Sequence, residues 1–287
     1  MNGIYLLDKP EGISSYGVIK KFKKAFNLNK VGHAGTLDPF ATGLLIVLVG
    51  KATKLSDIFI NGNKEYQGTI SFGAATDTYD KTGIITEEKS DFLLTDQMVK
   101  SALNLFTGEL MQTPPIYSAI RYDGMRLYEY AREAIEVEIK KRKVFVYEFS
   151  QTGRLKDNKQ DFTATVSKGT YLRSLAYDVG KHLNIPSHLE ALRRTKSGMF
   201  NVVDAYKLED INSNTLPTYS LEDYAKGLPK LTVLPYLEKH VLNGILLDER
   251  QTTIKDYISV YNEAGELLAI YMPIEDKYKP LIIVKEK

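Results

Sequence analysis

The chain has 287 residues, 43% of them hydrophobic and 26% charged, and its 38 basic and 36 acidic side chains leave a net charge of +2. That balance excludes a disordered chain, and it means that any polyanion must be held by a local basic patch and not by the field of the whole molecule. With no cysteine in the sequence, disulfides, thiolate zinc sites, iron–sulfur clusters and cysteine nucleophiles are excluded.

The length fits one large domain, or a large one with a small one. The longest apolar run, Leu44 to Val49, is far too short to span a membrane, and the start MNGIYLLDKP lacks the basic and apolar regions of a signal peptide. A cytoplasmic protein without membrane partners is expected.

In chain order, Gly3 to Leu7 reads as a short strand running into a turn over Pro10 to Gly12. Ser14 or Ser15 then caps a predicted helix whose apolar positions Val18, Ile19, Phe22 and Phe26 fall at helical spacing. Its other face carries Lys20, Lys21, Lys23 and Lys24, which would serve as a solvated face or as a patch for phosphates. Asn27 to Thr42 is a loop rich in Gly, Asp and Pro, followed by a predicted buried strand over Leu44 to Val49 and a helical stretch over Ala52 to Phe59. Tyr66 to Phe72 alternates like a strand, Gly73 to Gly83 is a second polar loop, and Thr95 caps a predicted helix bearing Met98, Val99, Ala102, Leu103 and Phe106. A hairpin is predicted from Val144 to Phe149 and Asp161 to Val166, then two helices near Tyr171 to Leu183 and Ser187 to Arg194. From Asn212 to Pro235 the chain turns polar, with Pro217, Pro229 and Pro235, which places a boundary between a main domain, 1–228, and a small module, 229–287. Strand-like segments at Tyr257 to Tyr261, Leu267 to Tyr271 and Leu281 to Val284 suggest a small β-barrel there.

Two familiar motifs fail. In VGKAT, residues 49–53, Leu45 stands where a phosphate loop needs its first glycine and Ala52 where it needs the magnesium-binding hydroxyl. No G-x-G-x-x-G occurs, so neither a triphosphate engine nor a dinucleotide cofactor is expected. Asp77 and Asp80 in TDTYDKTG could pair on a metal, but carboxylates in a Thr/Gly-rich loop more often bond their own backbone. No metal is expected.

The segment GHAGTLDPFATG, residues 32–43, brings three glycines, a histidine and an acid together before a buried strand. Glycine lets backbone approach a ligand closely, and Pro39 restricts Asp38 to extended geometry, so one carboxylate is presented from a stiff mount. Such a mount suits a nucleophile, but on spacing alone an Asx-type turn in a connecting loop ranks ahead of it.

At these residues the chain resembles the bacterial tRNA pseudouridine synthase B family, which isomerises the T-loop uridine at tRNA position 55. The resemblance runs from LLDKPEGISS (Leu6 to Ser15) and GHAGTLDPFATG through KEYQGTISFG (Lys64 to Gly73), TPPIYSAIRYDGMRLYEYAR (Thr113 to Arg132) and SKGTYLRSLAYDVG (Ser167 to Gly180) to LRRTKSG (Leu192 to Gly198). It thins after Asp210. It implies an α+β pseudouridine synthase fold, a mixed and largely antiparallel sheet flanked by helices, with a small C-terminal PUA-like β module.

By the same resemblance Asp38 is the nucleophile, Arg173 the arginine paired with it, and Tyr66 the ring that stacks on the target base. Tyr171 is a second substrate-contacting tyrosine, Leu192 an apolar wall of the base pocket, and His33 the side chain that fills the space left by the extruded nucleotide. Lys9 and Pro10 support the active-site loop, and Tyr117 to Arg132 is an insertion that closes over RNA, with Arg121 where the family commonly has lysine. Without the resemblance, Tyr66 and Leu192 would read as core, His33 as a loop histidine and Arg173 as a surface helix charge. Phosphate contacts are expected from Lys20, Lys21, Lys23, Lys24, the cluster at 140–143, Arg193, Arg194 and Lys196. The expected partner is the T stem-loop of tRNA, met by a monomer with no cofactor and no guide RNA. The reaction fits the composition, because uridine isomerisation is redox-neutral and uses neither ATP nor water. A tRNA-folding factor whose grip matters more than its chemistry, a retaining hydrolase using Asp38 and a guide-RNA-dependent relative are the alternatives.

Overall fold

The computed structural model describes residues 2–133 and 135–285; residues 1, 134 and the last two of the expected C-terminal module, 286 and 287, lie outside the described residues. In chain order β1 (Gly3–Lys9), α1 (Ser15–Phe26), β2 (Val31–Ala34) and β3 (Thr42–Val49) lead through a short 3-10 segment to α2 (Ser56–Asn61) and β4 (Lys64–Phe72). A ribbon of β5 (Ala74–Thr76) and β6 (Ile85–Glu88) precedes α3 (Asp96–Leu105) and β7 (Gly108–Gln112); a second ribbon, β8 (Arg121–Tyr122) and β9 (Met125–Arg126), precedes α4 (Leu127–Arg132). Then come β10 (Arg142–Lys156), β11 (Lys159–Val166), α5 (Leu172–Leu183), β12 (Ser187–Ser197), β13 (Phe200–Asn201) and β14 (Tyr206–Lys207). The chain continues with α6 (Leu221–Lys226), β15 (Lys230–Thr232), α7 (Pro235–Leu242), β16 (Ile258–Tyr261), β17 (Leu267–Ile274) and β18 (Lys277–Ile283). Among the described residues no helix is long and apolar enough to cross a membrane.

A mixed, largely antiparallel sheet in the order β14-β1-β3-β12-β4-β11-β10-β7 organises the molecule, with β2 added to β3 and β13 to β12. The unbroken apolar run of β3 is explained by burial on both faces. Leu45 and Val47 join Tyr5, Leu7, Val18 and Phe22 beneath α1, while Leu44, Ile46 and Leu48 join Ile4 and Leu6 on the opposite side. On the other half of the sheet, α3 and α5 cover Ile70, Phe72, Phe149 and Phe162 with Val99, Leu103, Leu175 and Val179. Ser14 is the residue that caps α1, accepting from the Gly17 amide at 3.0 Å.

The C-terminal strands form the expected small β module as a four-stranded sheet, β15-β16-β17-β18, in which β15 and β18 are the edges and no barrel closes among the described residues. Its Leu267, Ile270 and Ile282 pack into the same apolar cluster as Ile4, Leu6 and Leu44. Ser187 to Arg194, predicted as a helix, is strand and forms most of β12. Ladder irregularities between Leu189 and Ala191 and between Arg194 and Lys196 break the two-residue alternation, so Leu189 and Leu192 both point inward at a spacing that imitates a helix.

The two halves of the sheet meet at a narrow parallel seam, where Arg193 pairs with Thr42 and Arg194 with Gly43. Gly43 has φ 98, and a Cβ there would lie 2.3 Å from the Arg194 carbonyl oxygen, so backbone occupies the space of a side chain. Gly43→Ala is expected to cost about 3 kcal/mol or more and to lower the thermal midpoint by several degrees; a midpoint within about 2 °C of the parent would contradict this tight approach.

Candidate active site

Asp38 lies in the loop between β2 and β3, and side chains from three other elements grip that loop. The Ser15 hydroxyl donates to the Leu37 carbonyl at 3.0 Å and accepts from the Leu37 amide at 2.8 Å. Lys9, fully buried at the end of β1, donates from Nζ to the carbonyls of Pro10, Ile13 and Pro39 at 2.9, 2.8 and 3.2 Å. Burial pushes its ammonium down to about 8, against the pull of Asp38 and Glu11. From β12, Arg194 donates through Nη2 to Gly35 O at 3.1 Å and through Nε to Leu44 O at 2.7 Å. The carboxylate therefore stands on a loop whose backbone carbonyls are spent on buried cations, which is the stiff mount its Gly and Pro content suggested.

Arg173, in the first turn of α5 and 4% exposed, meets this loop from the opposite wall. Its Nε lies 2.9 Å from Asp38 Oδ2, off the N–H axis, and its Nη2 donates to Asp38 Oδ1 at 3.2 Å. The remaining donors are also engaged: Nη2 reaches Tyr117 O at 3.0 Å and Nη1 reaches Thr78 O at 3.2 Å. Asp80 Oδ2 lies 3.6 Å from Nη1, so one guanidinium sits between two carboxylates. Burial pushes the Asp38 carboxyl above its ordinary value; Arg173 and Lys9 pull it down, and Asp80 adds to the rise. The Asp38 side chain nevertheless keeps 35% of its surface open. It is a partly buried acid that stays reachable.

What it faces is a cavity of about 760 Å³ lined by Asp38, Tyr66, Tyr171, Arg173, Leu192 and Arg194, among others. Tyr66 on β4 and Leu192 on β12 are each 8% exposed. Tyr171 is fixed through its backbone: the buried Gln112 side chain accepts from its amide at 2.8 Å and donates to its carbonyl at 3.0 Å. His33 is placed on β2, opposite Val47, and does not line the cavity. Burial and the nearby Arg194 push its imidazole below its ordinary value.

Lys20, Lys21 and Lys24 are exposed along α1, whose first turn touches the nucleophile loop through Ser15, and Lys23 is half-buried. Pro10 is exposed beside Lys9. Arg193 is half-exposed but committed to Asp8 through contacts of 3.0 and 2.6 Å. Arg194 as a phosphate contact is corrected: it is 1% exposed, its donors go to backbone carbonyls, and it braces the loop from inside. Asp80 was missed. Its Oδ1 does accept from the Thr82 amide at 2.9 Å, the expected turn, while its other oxygen serves Arg173. The signal available was an acid in a short polar turn; nothing in the spacing shows which cation, 93 residues on, will meet it.

The mixed sheet thus opens at a cleft with an acid–arginine pair at its floor and a tyrosine in its wall. Over 99% of this chain the fold superposes on 84% of a chain in "Crystal Structure of a Cbf5-Nop10-Gar1 Complex", with a TM-score of 0.71 and 24% identity. A second match, "Structure of H/ACA RNP bound to a substrate RNA containing 2'-deoxyuridine", covers 95% of this chain and 78% of that one at TM-score 0.68 and 23% identity. Residues 23–172 match the family model "TruB family pseudouridylate synthase (N terminal domain)", and residues 173–242 match "tRNA pseudouridylate synthase B C-terminal domain". The tRNA pseudouridine synthase B of Acholeplasma laidlawii is 42% identical over 280 residues, 97% of this chain and 98% of that protein. Its namesake in Bacillus subtilis is 37% identical over 305 aligned positions, covering 100% and 99%. The chain belongs to the TruB family of pseudouridylate synthases.

Proposed function

We propose that this chain isomerises uridine to pseudouridine at position 55 in the T-loop of tRNA, with Asp38 as nucleophile and no cofactor. The observation that supports it most is the Asp38–Arg173 contact of 2.9 Å at the floor of a cavity walled by Tyr66 and Leu192. In the overall reaction the N1–C1′ bond breaks, a C5–C1′ bond forms, the C5 proton leaves and N1 gains one, so atoms balance without a co-reactant. The target base must leave its stack at a cost of a few kcal/mol, and stacking on an aromatic ring such as Tyr66 returns about 1–3 kcal/mol. Tyr171 contacts the same nucleotide, His33 takes the place it vacates, and Lys9 with Pro10 holds the nucleophile loop.

Residues 1–228 perform the chemistry and 229–287 extend the RNA-binding surface; a single chain acts without a guide RNA. The test is incubation of the purified chain with an unmodified tRNA transcript. Intact mass is expected to stay constant while pseudouridine maps to the T-loop; release of free uracil would identify a hydrolase instead.

The lysines of α1 lie along the phosphate backbone. Lys20→Ala is therefore expected to reduce the slope of log affinity against log salt by about 0.7 to 0.9, the contribution of one neutralised phosphate. Arg194→Gln should leave that slope unchanged and lower turnover, because it loosens the loop and touches no phosphate. A reduced slope in Arg194→Gln would restore it as an RNA contact.

A further inference from the structure

Tyr79, in the turn after β5, has φ 61, a left-handed conformation that a bulky side chain seldom adopts without compensation. Its two neighbours hold the Nη1 end of Arg173: the Thr78 carbonyl accepts at 3.2 Å, and Asp80 Oδ2 lies at 3.6 Å. The strained residue thus sits between the two groups that keep the guanidinium fork turned so that Nη2 and Nε serve Asp38.

The compensation is a ring stack. Tyr79 lies on Tyr177 with centroids 4.1 Å apart and planes inclined by 18°. Tyr177 stands four residues after Arg173 in α5, one helical turn along on the same face. The turn is bonded to β12, since Tyr79 O accepts from the Leu189 amide and the Lys81 amide donates to Leu189 O, both at 3.0 Å. Among the described residues, its hydrogen bonds to α5 are those made by Arg173 itself. The stack is therefore a tie between the turn and the helix that does not pass through the guanidinium.

We propose that the Tyr79–Tyr177 stack is a positioning device that holds the Thr78–Asp80 turn against α5, so that Arg173 keeps its grip on Asp38. Tyr79 and Tyr177 are positioning residues, acting through Arg173, and the inference rests on Asp38 being the nucleophile. Backbone strain is retained at Tyr79 because the ring has to reach Tyr177. Asp38 is faced by Arg173 from α5, Asp80 from the turn, Lys9 from β1 and Tyr171 from the start of α5. Of these, Arg173 is the cation that contacts it directly, and loosening it leaves the acid harder to ionise.

The experiment uses the full chain and an unmodified tRNA transcript, with Tyr79→Gly, Tyr79→Phe, Tyr177→Leu and Asp38→Asn. Tyr79→Gly relieves the strained φ and removes the ring. Its thermal midpoint should be equal or higher, kcat should drop by about tenfold or more, RNA affinity should stay within about two-fold, and the acid limb of the pH–rate profile should move to higher pH. Tyr177→Leu should act in the same direction, and Tyr79→Phe should resemble the parent. Should Tyr79→Gly melt early, Tyr177→Leu, which leaves the turn's own backbone alone, decides by the same criteria. The proposal is overturned by turnover within about two-fold of the parent, or by a loss of kcat with an unmoved acid limb. An active Asp38→Asn would overturn the nucleophile itself; an inactive Asp38→Asn beside a fully active Tyr79→Gly overturns the stack's role alone.

Discussion

Asp38→Asn is expected to abolish pseudouridine formation, a loss of about 10³-fold or more, while RNA affinity stays within a few-fold. The substitution keeps the shape of the side chain and its place on the braced loop but removes the nucleophile. Retained turnover would end the assignment of Asp38, and a parallel collapse of RNA affinity would mean that the residue serves binding. The same variant has a predictable effect on stability. Burial raises the folded-state pKa of Asp38 above its unfolded value, so the folded state binds that proton more tightly. Stability then falls as pH rises from the unfolded pKa through the folded one, and the cost persists at neutral pH. An asparagine has no such proton to lose, so the fall in stability with rising pH across that window should be shallower in Asp38→Asn than in the parent, and calorimetry on both proteins over a pH series checks the sign.

Arg173→Met should be the second severe change, and it should harm the fold as well as the chemistry. Removing the guanidinium leaves Asp38 and the buried Asp80 without the cation between them, and breaking a buried pair of this kind costs about 3–5 kcal/mol. Asp38, already raised by burial, moves further up, so residual activity should show an acid limb at higher pH than the parent. Arg173→Lys keeps the charge but cannot reach Asp38, Tyr117 O and Thr78 O together, and should recover little. An acid limb at the parent's pH in Arg173→Met would show that something other than Arg173 keeps the carboxylate charged.

Much of this was legible in the sequence where local physics decides. The cap of α1, the run of β3 and the stiff mount of Asp38 follow from side-chain chemistry within a few residues. The pairing of Asp38 with Arg173 joins positions 135 residues apart, and it was reachable through the resemblance because both positions fall in recognisable blocks. Asp80 fell outside those blocks and was missed. Arg194 was misread for a different reason: an arginine beside another arginine and a lysine looks like a surface patch, and only the fold reveals that Leu192 and Arg194 of β12 are both buried. The irregular ladder of β12 also defeated the periodicity reading, since a bulge changes which residues share a face without any change in composition.

The apolar cluster shared by Leu267, Ile270 and Ile282 with Ile4, Leu6 and Leu44 has a practical consequence for work on this enzyme. Cutting the chain after Leu228 would strip the covering from one side of β1 and β3 and leave a contiguous greasy face in water, an aggregation hazard. A shortened protein would thus be lost to precipitation before its hold on RNA could be weighed, and the final 59 residues are better probed by charge reversal on their outward side.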